Sequence, residues 1–133
     1  LNNAGQFRAN GTIGPSKYIT PDTTADNMVL QATAGQAPIG ISQIGMKRAP
    51  GLPGSDVTIA AQVGDVVMVY ALGDVTELVL GTGGCTRGDF LKSDANGAGV
   101  TATVVGTDEV GARALQSGTA GQLVLVQILS RKL

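Results

Sequence analysis

The sequence predicts a small all-β domain, a β-barrel, β-tulip-like unit or sandwich over residues 23–133, preceded by an extended N-terminal arm over residues 1–22. Three observations predict it. Gly supplies 20 of 133 residues, about twice the usual ~7%, and each Gly inside a helix costs about 1 kcal/mol relative to Ala. Charged residues are only 14% of the chain, while Val and Thr, which favour strands, are abundant. Finally, the apolar residues fall in short runs closed by Gly, Asn and Asp, the punctuation of tight turns. At 43% hydrophobic the chain can bury a core of one-domain size. That core must be Val, Ile, Leu and Ala, because only Phe7, Tyr18, Tyr70 and Phe90 are aromatic and Trp is absent.

Residues 1–22 show no sustained periodicity and are broken by Gly5, Gly11, Gly14, Pro15 and Pro21. They read as an arm, with a frayed terminus as the plainer alternative. Phe7, Ile13, Tyr18 and Ile19 are its apolar anchors, so removing residues 1–20 is expected to abolish docking without unfolding the domain. Strands are then predicted at 28–32 and 38–42. Residues 44–55 hold two Pro and three Gly, which forbid a regular element. This long loop is a second candidate contact surface, through Met46 and Leu52.

Further strands are predicted at 57–61, 66–70, 75–80, 90–93, 100–105, 110–116 and 122–129. Residues 66–70 form a continuous apolar run, which reads as a strand buried on both faces. Asn96-Gly97 signals a hairpin in which both residues take positive φ. Residues 109–116 read as a strand, with a helical turn as the alternative; eight residues without a cap make a marginal helix. The two halves echo each other: strand, Gly turn, strand ending in Gln, turn, apolar strand. Two similar β units packed together would explain the echo.

Composition also excludes chemistry. With no His, the chain lacks the base of nucleophilic triads and the commonest metal ligand, so no catalytic, cofactor or metal residues are assigned. Cys85 has no partner cysteine and reads as a small buried or turn residue; a single Cys predicts folding without an intrachain disulfide, in a cytosolic environment. Gly81-Thr82-Gly83-Gly84 lacks the Lys-Ser/Thr ending of a phosphate loop. Arg87-Gly88-Asp89 matches a three-residue adhesion motif too short to carry weight, and Asp94-Ala95-Asn96-Gly97 lacks the spacing of a calcium loop. Lys47 follows Met46, as in biotin carriers, but sits in a Pro/Gly loop and is followed by Arg48. A formal charge of −1 without a basic run argues against nucleic acid. No apolar stretch has the length of a membrane span, and no signal-peptide pattern is present.

The wording of three segments is more telling. Residues 27–43, with Ala34-Gly35-Gln36-Ala37-Pro38-Ile39-Gly40-Ile41-Ser42 at their centre, resemble the front half of tailed-phage capsid decoration (cement) proteins. Thr86-Arg87-Gly88-Asp89-Phe90-Leu91-Lys92-Ser93 and the turn after it resemble their central hairpin. Residues 111–127 resemble their closing strands. The resemblance covers roughly residues 27–129 and brings no active-site residues. It implies a compact β domain that forms a homotrimer on the capsid exterior and clamps the major capsid protein, with the N-terminal arm adding a strand to a capsid loop. The alternatives are another virion part, such as a head-fibre base or tail-associated protein, and a carrier or ligand-binding β-barrel.

Overall fold

The computed structural model describes residues 7–43 and 61–133. Their regular elements are all strands: β1 (Phe7–Ala9), β2 (Tyr18–Pro21), β3 (Met28–Gln31), β4 (Gly40–Ser42), β5 (Val66–Val67), β6 (Val69–Tyr70), β7 (Val75–Val79), β8 (Phe90–Ser93), β9 (Gly99–Thr101), β10 (Glu109–Ala114) and β11 (Leu123–Lys132). The all-β class expected from the Gly, Val and Thr content is the one observed, and residues 109–114 take the strand reading over the helical turn.

The chain divides cleanly. β1–β6 form one sheet in the order β5-β1-β3-β2-β4-β6, and β7–β11 form a second in the order β7-β11-β10-β8-β9. The outermost strands of the first sheet, β5 and β6, are separated in the chain by Met68 alone. Neighbouring Cα atoms lie about 3.8 Å apart, so the two ends of this sheet must meet, and it curls upon itself. The Gln43 side chain accepts a bond from the Met68 N–H at 3.1 Å, patching the seam. In the second sheet Leu80 bridges Gly99 in parallel, and the Gly81 N–H donates to the Gly99 carbonyl at 2.8 Å. The end of β7 is thereby brought to the start of β9. Curling hides backbone edges that would otherwise recruit other strands.

Residues 66–70 are not one strand buried on both faces. Val67 and Val69 are buried while Met68 is 46% exposed. The reason is the closure: the segment is a barrel wall, with one face to the interior and one to solvent. The sequence echo also has a partial counterpart. Each half supplies one sheet, but β8, β10 and β11 are successive neighbours, whereas β2 lies between β3 and β4.

Two apolar clusters fill the molecule. One lies within the first sheet: Ala9, Ile13, Ile19, Val29, Ala61, Val67 and Val69. The other fills the second sheet and the joint between the two. It includes Leu78, Leu91, Ala112, Val124 and Val126, with Tyr18 and Ile41 reaching in from the first. β2 therefore turns Ile19 into one core and Tyr18 into the other, as period-2 alternation requires. At the joint the Tyr18 hydroxyl donates to the Leu91 carbonyl at 3.0 Å, and the Tyr18 N–H donates to the Gly97 carbonyl at 2.8 Å. Burial pushes the Tyr18 phenol far above its usual range.

The turns share a design. In Gln62-Val63-Gly64-Asp65, Ala71-Leu72-Gly73-Asp74 and Thr86-Arg87-Gly88-Asp89, the Gly has a φ of 88–94°, as the third position of a type II turn demands. The fourth residue's N–H bonds the first residue's carbonyl at 2.9–3.0 Å. The Asp carboxylate then accepts the first residue's N–H at 2.8–2.9 Å. Thr33-Ala34-Gly35-Gln36 and Thr119-Ala120-Gly121-Gln122 repeat the design with Gln as acceptor. The carboxylates that punctuate the sequence are thus turn locks, including the Asp of the Arg-Gly-Asp tripeptide.

The Asn96-Gly97 hairpin differs from the two-residue turn expected. Only Gly97 has positive φ, at 75°, and Asp94 pairs with Ala98 (N–H to carbonyl, 2.9 Å). The loop therefore has three residues, with Gly in the left-handed position. The Asp94 carboxylate accepts the N–H groups of Asn96 and Ala98 at 2.8 and 2.9 Å, which leaves Asn96 in an ordinary conformation. Gly97→Ala is expected to destabilise by roughly 1–2 kcal/mol through the left-handed φ. A lowered urea midpoint checks this; the stabilisation usual for Gly→Ala at a relaxed position would contradict it.

Candidate docking surfaces

The residues expected to anchor an exposed arm are mostly interior. Ile13, Tyr18 and Ile19 are fully buried, and Phe7 is half-buried against the first core. Residues 7–22 are thus part of the folded domain in this structure, correcting the arm reading. β1 pairs with β3 and β5, β2 pairs with β3 and β4, and Ile13 bridges Ala61. The Asp22 carboxylate accepts bonds from the Asn10 side-chain amide and from Thr24, which hold it below the usual carboxylate range and tie the segment together. The physical reason is pairing: β1 and β2 are hydrogen-bonded into the first sheet, which turns Ile13, Tyr18 and Ile19 into the interior. Met46, Leu52 and Lys47 lie outside the described residues.

The outer face of β7-β11-β10 offers a different surface. Along β11, Val124, Val126 and Ile128 point inward, and Leu123 and Leu125 point out, 50% and 38% exposed. Register sets Leu123 opposite Val79, Leu125 opposite Glu77 and Gln127 opposite Val75. The Leu115 N–H donates to the Leu125 carbonyl at 2.9 Å, which adds Leu115, 41% exposed. A strip of Val75, Leu115, Leu123 and Leu125 therefore faces solvent. Sequence reasoning read 122–129 as a strand but missed this strip. The signal was present, since a strand with one wet face should be polar at alternate positions, and Leu123 and Leu125 break that rule.

Beyond one end of the strip lies an open hollow of about 680 Å³ lined by Arg87, Gln116, Ser117, Gln122, Leu123 and Val124, with Gly121 at its rim. Turn geometry builds it. The Arg87 N–H donates to Ser117 Oγ at 2.8 Å. Gln116 Oε1 accepts the Leu125 N–H at 3.0 Å, and Gln122 Oε1 accepts the Thr119 N–H at 2.9 Å. The Cys85–Gly118 bridge joins the two segments that carry Arg87 and Ser117. The Cys85 thiol donates to the Gln116 carbonyl at 3.5 Å, and burial pushes its pKa up, which suits a structural thiol better than a nucleophile.

On the neighbouring strands the Arg113 and Arg131 guanidinium groups lie 5.3 and 4.8 Å from the Phe90 ring centroid, within cation–π range. A smaller cavity of about 230 Å³ is lined by Gln36, Lys92, Ser93, Asp108 and Glu109. Its two main charges already pair, Lys92 with Asp108 at 3.1 Å. The Asp108 carboxylate also accepts the Thr103 and Val104 N–H groups, each at 2.9 Å. Those backbone bonds, aided by Lys92, hold Asp108 below its usual pKa.

A carboxylate with a depressed folded pKa stabilises above its unfolded pKa, and the effect fades as pH falls through the folded value. Asp108→Asn is therefore expected to lower Tm by roughly 2–5 °C at pH 7, the gap closing below about pH 3.8. Thermal melts at pH 7 and pH 2.5 check it; a gap that persists in acid would place the effect elsewhere. Among the described residues, His, Cys, Asp and Glu are not gathered in the threes a metal ion would need.

No family model matches the chain, and no curated protein matches it. Among solved structures it is similar to the crystal structure of the head fiber gp8.5 N base in bacteriophage phi29. The TM-score is 0.63 at 20% identity, covering 97% of this chain and 95% of that one. At that identity the likeness establishes a shared fold.

Proposed function

We propose that this chain is a structural protein of a phage virion, seated on the outside of the head as the base of a head fibre. The observation that carries the reading is the similarity to the phi29 head-fibre base, which spans nearly the whole of both chains. A fragmentary β motif would not supply such coverage. The reading also suits the sequence: phrases resembling capsid decoration proteins, no histidine, and turns whose carboxylates are consumed in locking the backbone. The protein acts by binding and carries no catalytic step. Its partner is the major capsid protein, and it docks as a homotrimer, so that each weak contact is multiplied by avidity.

The cement reading remains the second, carried by the sequence resemblance over residues 27–129. The two separate by copy number and shape. Quantitative mass spectrometry of purified virions, with electron cryomicroscopy of the same particles, is the test. The fibre-base reading expects tens of copies, each beneath a projecting fibre. Hundreds of copies lying flat over capsomer junctions would favour cement, and absence from the virion would overturn both.

A further inference from the structure

We propose that the hollow beside β11 is a carboxylate-binding site, which takes an acidic side chain from an extended segment of the protein on which the domain docks. The inference rests on the docking reading above and adds its chemistry. Gln116, Ser117 and Gln122 each already accept one backbone N–H, while their own donors stay uncommitted. Gln116 Oε1 and Gln122 Oε1 are each occupied by a backbone N–H, so their Nε2 groups, which only donate, remain. Ser117 Oγ already accepts from the Arg87 backbone, which leaves its hydroxyl proton to give. Arg87 contributes a guanidinium, five donors and no acceptor.

A site rich in uncommitted donors complements a ligand group that can only accept, and an ionised carboxylate is such a group. Guanidinium matches carboxylate in plane and spacing, which allows two parallel bonds. Arg87 is the one formal charge among the described lining residues, and the chain as a whole is near neutral at −1. That balance favours a monoanion over a doubly charged phosphate. No carboxylate of the described residues is ion-paired with Arg87.

The apolar neighbours fix the rest of the partner. Leu123 belongs both to the hollow and to the exposed strip, which continues through Leu125 and Leu115. Side chains two residues apart on one strand face are about 6.6–6.8 Å apart, so Leu123 and Leu125 match the period of an extended ligand. The fitting segment carries Asp or Glu in the hollow and apolar residues at the alternate positions after it.

The test is a titration of ¹⁵N-labelled protein with the peptide acetyl-Asp-Thr-Leu-Thr-Leu-amide, its Asp-to-Asn counterpart, and inorganic phosphate. The Asp peptide is expected to shift the side-chain NH₂ resonances of Gln116 and Gln122 saturably. The Asn peptide, or the Asp peptide on Arg87→Gln, is expected to bind about 5–20-fold more weakly. Arg87→Gln keeps the backbone bond to Ser117, so its remaining spectrum should match the parent. Silence at both glutamines, equal response to the two peptides, or tighter binding of phosphate would overturn the site. The titration needs no virion, so failure here leaves the docking reading to be judged by binding to phage heads.

Discussion

Tyr18→Ala is expected to lower stability by about 3–5 kcal/mol, a large share of the ~5–15 kcal/mol that holds a domain together. Among the described residues Tyr18 is the largest fully buried side chain, and it links the two sheets by packing and by two hydrogen bonds. Its ring packs where a Cβ on Gly111 would come within 2.7 Å, and its hydroxyl bonds the Leu91 carbonyl of β8. Removing it opens a cavity at the joint and strips that carbonyl of this bond. Tyr18→Phe keeps the ring and loses the bond alone, for about 1–2 kcal/mol. Urea unfolding of the two variants separates packing from hydrogen bonding. Parental stability in Tyr18→Ala would mean that the sheets are held together elsewhere.

Removing residues 1–20 is expected to abolish folding, where the arm reading expected an intact domain. The deletion takes β1 and most of β2, both interior to their sheet. β3 would lose both neighbours, and the first core would lose Ala9, Ile13 and Ile19. Exposed strand edges of this kind aggregate. Loss of amide dispersion in the NMR spectrum and loss of a cooperative melt are the expected results. A well-dispersed, cooperatively melting truncation would restore the arm.

The contrast between these segments explains what sequence could reveal. β11 and the Gly-Asp turns were legible because their signals are local: a run of strand-favouring aliphatic residues from Leu123 to Val126, resumed at Ile128, and a Gly at the one turn position that needs positive φ. β1 and β2 were not. They span three and four residues, too few to display a period, and their partners are set by tertiary pairing. Tyr18 and Ile19 face two different cores, so their adjacent apolar side chains show no alternation of apolar and polar.

The split of residues 66–70 between the two ends of one sheet is likewise a property of closure. Local composition does not encode it. The hollow was illegible for a related reason. Arg87, the Gln116-Ser117 pair and Gln122 come from three separate segments, and the sequence does not reveal that Gln116 and Gln122 each turn their side-chain oxygen to a backbone N–H.

The central claim, that this domain binds the outside of a phage head, is tested most directly by co-sedimentation. Purified protein would be spun with heads of its source phage that lack it, and the copies bound per head counted across a concentration series. The account predicts saturable binding at a fixed number of copies, in multiples of three for a docked trimer. Protein that stays in the supernatant at every concentration, or binds without saturating, would contradict it.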